Sequence, residues 1–233
     1  AAPLKAQGTP RVLMIAQQPL DGAPGRKANT IERIAPNHAG GILVSVSTND
    51  VGTSANPRDV IWGSLGATSL TRVERTDPAG PLATNAIDDI PAENAGNLGY
   101  IARSGPDVFV VVNGTVIARE DEPTAPGGAT WTSNFVGLKL DSAGNPWFRG
   151  RYDGAQTGGG FFRGTTPIFL AGDPILGMPG GVDQAGAPFS GYDVTPSGDH
   201  WLAVVRSDSN FRQYVTRDGE VLSAGGVPLA TGN

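Results

Sequence analysis

The chain has 233 residues, a net charge of -5 and 17 basic side chains with no lysine-rich stripe, which excludes a nucleic-acid surface. Its 34 glycines and 19 prolines are about twice the ordinary share and exclude a mainly helical chain, since both destabilise helix interiors. The 39% apolar content argues against disorder, the lack of cysteine excludes disulfides and thiolate metal sites, and no apolar run suits a transmembrane helix.

In chain order, the opening Ala1-Ala2-Pro3 resembles a processed end and points to export. Residues 1–30 read as an N-terminal segment in which Arg11-Val-Leu-Met-Ile-Ala-Gln17 forms a strand, residues 11–17, pairing with a terminal unit. From residue 31 to 233 four units follow, 31–85, 86–131, 132–186 and 187–233, each with four short strands. The first unit predicts strands near 31–34, 42–47, 60–63 and 70–75, and the second near 86–90, 98–103, 108–112 and 116–119. The third predicts them near 135–140, 146–151, 160–163 and 167–170, and the fourth near 192–195, 200–206, 211–216 and 220–222.

Two markers fix this phasing. Five related strands run into a proline, at Pro19, Pro78, Pro123, Pro174 and Pro228, and a second turn marker closes on Gly40, Gly96, Gly144 and Gly198. Both recur at about 50 residues, the period of propeller blades or stacked arrays. Short hairpin turns at Asn113-Gly114, Arg163-Gly164 and Asp218-Gly219 supply the positive backbone angles that tight antiparallel hairpins need. The predicted fold is therefore all-β, a β-propeller-like repeat of four-stranded antiparallel blades, four full repeats plus one surplus N-terminal strand. That surplus strand needs a partner, in an open edge, a longer ring or a second chain.

The repeated Asn/Asp-x-x-Gly-x-x-x-Phe pattern resembles the tandem propeller-like repeats of bacterial secreted or surface proteins. More loosely, Asp141-Ser-Ala-Gly144-Asn-Pro-Trp147 is similar to the aspartate-box turns of sialidase-like propellers. The resemblance implies shape and a secreted, periplasmic or cell-surface setting; it implies no single reaction.

Trp62, Trp147 and Trp201 read as packing between blades, whereas Trp131, in a glycine-rich linker, reads as a candidate stacking platform for a sugar. The long loops of the third unit make Arg149, Arg151, Tyr152, Arg163 and Asp173 the other candidates for a ligand rim. Calcium is a candidate cofactor at the acidic loops around Asp88, Asp89 and Glu93 and around Glu120, Asp121 and Glu122, although no calcium-loop spacing is present. Asp88, Asp121, Asp173 and Asp218 recur near blade ends and are the carboxylates a glycan hydrolase would draw on.

The expected function is a noncatalytic, extracytoplasmic propeller module binding a protein partner or polysaccharide, with another chain or a self-dimer as a way to complete the propeller. The alternative is a propeller hydrolase with a carboxylate pair in a central channel.

Overall fold

The computed structural model describes residues 14–20, 23–36, 41–49, 59–64, 71–75, 86–89, 91–123, 125–132, 134–153, 158–183, 189–210 and 212–225. Of these, the side chains of 23–25, 59, 60, 62, 64 and 71–75, Trp62 among them, lie outside the description.

Four antiparallel sheets follow one another along the chain. The first contains β1 (Pro19–Leu20), β2 (Ala23–Pro36), β3 (Ile42–Thr48), β4 (Asp59–Ser64) and β5 (Thr71–Arg75), each paired with the next. The second contains β6 (Ala86–Ile87), β7 (Ala92–Asn94), β8 (Asn97–Ser104), β9 (Asp107–Val112) and β10 (Thr115–Arg119). The third contains β11 (Thr130–Trp131), β12 (Val136–Leu140), β13 (Pro146–Asp153), β14 (Gly158–Arg163) and β15 (Thr166–Leu170). The fourth is the plain meander β16 (Phe189–Val194), β17 (Trp201–Arg206), β18 (Gln213–Arg217) and β19 (Glu220–Ala224). This is the propeller-like repeat with an extra N-terminal strand.

The first strand of the second and third sheets is split. β6 and β7 both pair with β8, and β11 and β12 both pair with β13. In the second sheet Pro91 stands in the break, where a residue without an N–H cannot continue the ladder. In the third, Gly137, with a φ of 74°, lies inside β12 just after the break, at the bulge between Val136 and Lys139. The hairpin turns take the expected form: Asn113 and Gly114 have φ of 50° and 77°, and Asp218 and Gly219 have 49° and 91°, as a type I′ turn requires. The β14–β15 turn sits one residue later than expected, on Gly164 and Thr165, because Arg163 still pairs with Thr166.

The N-terminal pairing differs in position from the expected strand at 11–17. Residues 11–13 lie outside the description. Met14 to Gln17 form coil and a turn, with Gln17 at φ 67°, and pairing begins at Pro19, opposite Lys27. The positive φ at Gln17 breaks the extended run that its apolar residues suggested.

Three apolar layers join neighbouring sheets. Leu43 and Ile61 of the first meet Tyr100, Phe109 and Val111 of the second. Ile101, Val110 and Ala118 on the other face of the second meet Leu138, Phe148 and Phe162 of the third. Trp147, Phe161 and Phe169 meet Phe189, Val205 and Tyr214 of the fourth. Alternation along each strand makes this possible, since successive side chains point to opposite faces. Among the described residues no apolar cluster joins the first sheet to the fourth.

The turns after the first strands converge and stitch three sheets together. The Asn94 amide donates to the Leu140 carbonyl at 3.0 Å and to the Pro196 carbonyl at 2.8 Å, linking the second sheet to the third and to the turn that follows β16. Ser142 N–H donates to the same Pro196 carbonyl at 2.7 Å.

Candidate functional site

The six residues expected to form a ligand rim do not assemble into one site. Trp131 is fully buried, the opposite of an exposed platform, and belongs to the third sheet through its pairing with Tyr152. The glycines that suggested a linker instead turn the chain inward: Gly127 and Gly128 have φ of 69° and 75° in a short 3-10 turn, Pro126–Gly128, just before β11. Trp131 then sits among Phe162 at 4.8 Å, Phe135 at 5.5 Å and Phe148 at 5.9 Å between ring centres. Gly150 makes the space, since a Cβ there would come within 2.8 Å of the indole.

Tyr152 is buried in the same cluster, and that burial raises its phenol above the ordinary value. Arg149 donates to the Phe189 carbonyl at 2.7 Å and so bridges the third and fourth sheets. Arg151 is exposed on β13. Asp173 accepts from the Leu170 N–H at 2.7 Å, closing the turn after β15. Arg163 pairs with Trp147 near the start of β13, whereas Tyr152 lies near its end, about 17 Å away at about 3.3 Å per residue.

Arg163 belongs instead to a hub around Asp141. This fully buried carboxylate accepts from Arg163 Nη2 at 2.6 Å, Asn145 N–H at 2.9 Å, Ala143 N–H at 3.1 Å and the Trp147 indole N–H at 3.3 Å. Burial opposes its charge, but the bonds from Asn145, Arg163 and Trp147 outweigh burial and hold the carboxyl below the usual range. The Arg163 guanidinium also lies 5.2 Å from the Trp147 ring. The hub fixes the turn that docks against Gly198, where a Cβ would approach Asp141 to 2.6 Å.

The acidic loops proposed for calcium point their carboxylates to separate tasks. Asp88 pairs with Arg103 at 2.6 Å, Asp89 accepts from Gly137 N–H, Glu93 from Gly96 N–H at 2.7 Å and Glu120 from Val108 N–H at 3.2 Å. Among the described residues no group of three or more His, Asp or Glu is placed to hold a metal ion. Of the carboxylates considered for hydrolysis, Asp88, Asp173 and Asp218 hold structural bonds. Asp218 accepts from Trp201 N–H at 2.9 Å and lies 2.7 Å from His200 Nδ1. The Trp201 N–H, with His200 and Arg217 adding to it, keeps the Asp218 carboxyl below its ordinary range.

What sequence reading missed is a surface. One face of the fourth sheet packs on the third, and its other face carries Leu202, Val215 and Leu222, exposed at 43%, 38% and 59%. Equivalent rows in the other sheets are interior. Val204 pairs with Val215 as Ile101 pairs with Val110 in the second sheet and Arg149 with Phe161 in the third. Leu202 pairs with Arg217 as Trp147 pairs with Arg163. Ile101, Val110, Trp147 and Phe161 are all covered by the next sheet. A groove of about 500 Å³ opens at one end of the exposed face, lined by Val194, Pro196, Trp201, Leu202 and Leu222 with Asp193, His200 and Arg217 at hand. The signal was present in Trp201-Leu-Ala-Val-Val205, a strand apolar on both faces.

Among the described residues no helix is long and apolar enough to cross a membrane. No family model matches the chain, and no curated protein matches it. Among solved structures, one described as a glucose dehydrogenase is similar over 82% of this chain and 68% of that chain, at 10% sequence identity and a TM-score of 0.37. A likeness of that size carries no functional inference.

Proposed function

We propose that the chain is a noncatalytic, extracytoplasmic binding module that engages a protein partner through the exposed face of its fourth sheet. The observation that supports this reading is the exposed apolar patch of Leu202, Val215 and Leu222 on the face that, in each preceding sheet, the next sheet covers. An exposed apolar face of this kind marks an interaction surface. Aliphatic side chains suit a polypeptide surface, whereas a sugar ring would ask for exposed aromatic faces. The extracytoplasmic setting rests on the resemblance of the repeats to those of secreted and surface proteins.

The test exploits the absence of native cysteine. A photoreactive group on Leu222→Cys, activated in the protein's native setting, is expected to give peptide adducts. Glycan adducts alone, or no adducts, overturn the reading.

A further inference from the structure

The exposed face has an internal charge order. Register places Asp193, Leu202 and Arg217 in one row across β16, β17 and β18. The next row holds Gly191, Val204 and Val215. Asp193 is 74% exposed with Lys139 at 3.5 Å, and Arg217 is 52% exposed with Asp218 at 3.4 Å. An acid therefore stands on one side of an apolar strip and a base on the other, each held within the chain by a long ion pair, and the row ends beyond Arg217 at Glu220 of β19.

Such a row is self-complementary under a twofold rotation. With the axis along β17, the operation exchanges the places of β16 and β18. Asp193 of one copy then faces Arg217 of the other, while Leu202 and Val204 meet their own counterparts. A twofold interface uses the same patch on both subunits, and two sheets stacked face to face, strands nearly aligned, pack well at about 10 Å.

Resting on the reading of this face as a protein-binding surface, we propose that its partner is a second copy of the same chain, joined fourth sheet to fourth sheet in a twofold dimer. With the axis along β17, three strands of each copy overlap, and at about 4.8 Å between strands and five residues of about 3.3 Å each they give a footprint of about 240 Å² per copy. That is well under the roughly 800 Å² per partner of a standard interface, so the dimer forms reversibly and only at high concentration.

Sedimentation of the full chain from micromolar to millimolar concentration is expected to show the mass rise from 23.9 kDa toward twice that value. Asp193→Arg alone and Arg217→Asp alone are each expected to abolish the rise, since like charges then face each other. Mixing the two variants in equal amounts restores it, because every charge of the mixed dimer again meets its opposite. Circular dichroism identical to the parent shows that the variants remain folded. A parent that stays at 23.9 kDa throughout, single variants that dimerise undiminished, or a mixture that fails to recover would each overturn the proposal. If the chain is monomeric while the group at position 222 labels a different polypeptide, the dimer falls and the binding face stands.

Discussion

Trp131 and Gly150 form a pair whose coupling can be measured. Replacing Trp131 with Phe removes about 40–50 Å² of buried apolar surface, about 1 kcal/mol at 25 cal/mol per Å². The space left, about 40 Å³, adds about 1 kcal/mol at 24 cal/mol per Å³, so W131F is expected to destabilise by about 2 kcal/mol. Gly150→Ala in the parent drives a methyl to within 2.8 Å of Cζ3 and 3.3 Å of Cε3 of the indole, an overpacking worth about 1–3 kcal/mol. In W131F the benzene half of the indole is gone and the same methyl enters the vacated space. The double variant should therefore be more stable than the sum of the singles by at least about 1 kcal/mol, well outside the roughly 0.3–0.5 kcal/mol of independent sites. Urea unfolding followed by fluorescence and circular dichroism, with coincident transitions, gives the cycle. Additive effects, or a W131F cost below half a kcal/mol, would refute the packing argument and return Trp131 to the surface.

Other consequences follow from the same contacts. Asn94→Leu strips the Leu140 and Pro196 carbonyls of their amide donor and should cost about 1–3 kcal/mol in chemical denaturation. The Asp141 carboxyl is held below its usual range, so its stabilisation is full above the unfolded-state value near pH 4 and is lost as pH falls through the lowered folded value. Asp141→Asn should accordingly lower stability at neutral pH and flatten the loss toward acid, as read by thermal unfolding across a pH series. Leu202→Glu, on the exposed face, should change folding stability by no more than about 0.5 kcal/mol; a loss of several times that in the isolated monomer would mean the face is buried after all.

The repeat was legible because turn chemistry is local. Asn113-Gly114 and Asp218-Gly219 adopt the backbone angles their residue types favour, and the phased prolines and glycines located the sheets. Trp147 was also legible, since an aromatic just inside a strand after a turn points between sheets, and it packs on Phe161 at 5.6 Å. Trp131 was not, because the Gly127-Gly128 turn that aims it inward is indistinguishable from a linker until its φ angles are known. The rim of arginines failed for a related reason. Arg149 and Arg163 lie on adjacent strands of one sheet, but the Asp141 carboxylate and the Phe189 carbonyl claim them, and both partners are distant in sequence.

The first and fourth sheets pose the same physical problem and resolve it differently. A strand apolar on both faces asks for a neighbour on each side, and each sheet from the first to the third obtains one from the next. On its outward side the first sheet obtains part of its cover from its own N-terminal segment, with Leu20 against Val44 and Val46, while Ile34 stays exposed. The fourth sheet turns Leu202, Val204 and Val215 outward, and among the described residues no element covers them. An aliphatic face left in water forgoes about 25 cal/mol for each Å² it could bury, and it also invites irregular association. A row in which an acid and a base flank that strip limits the invitation to partners of matching charge order, because like charges brought face to face are repelled. Such a row fits an interface.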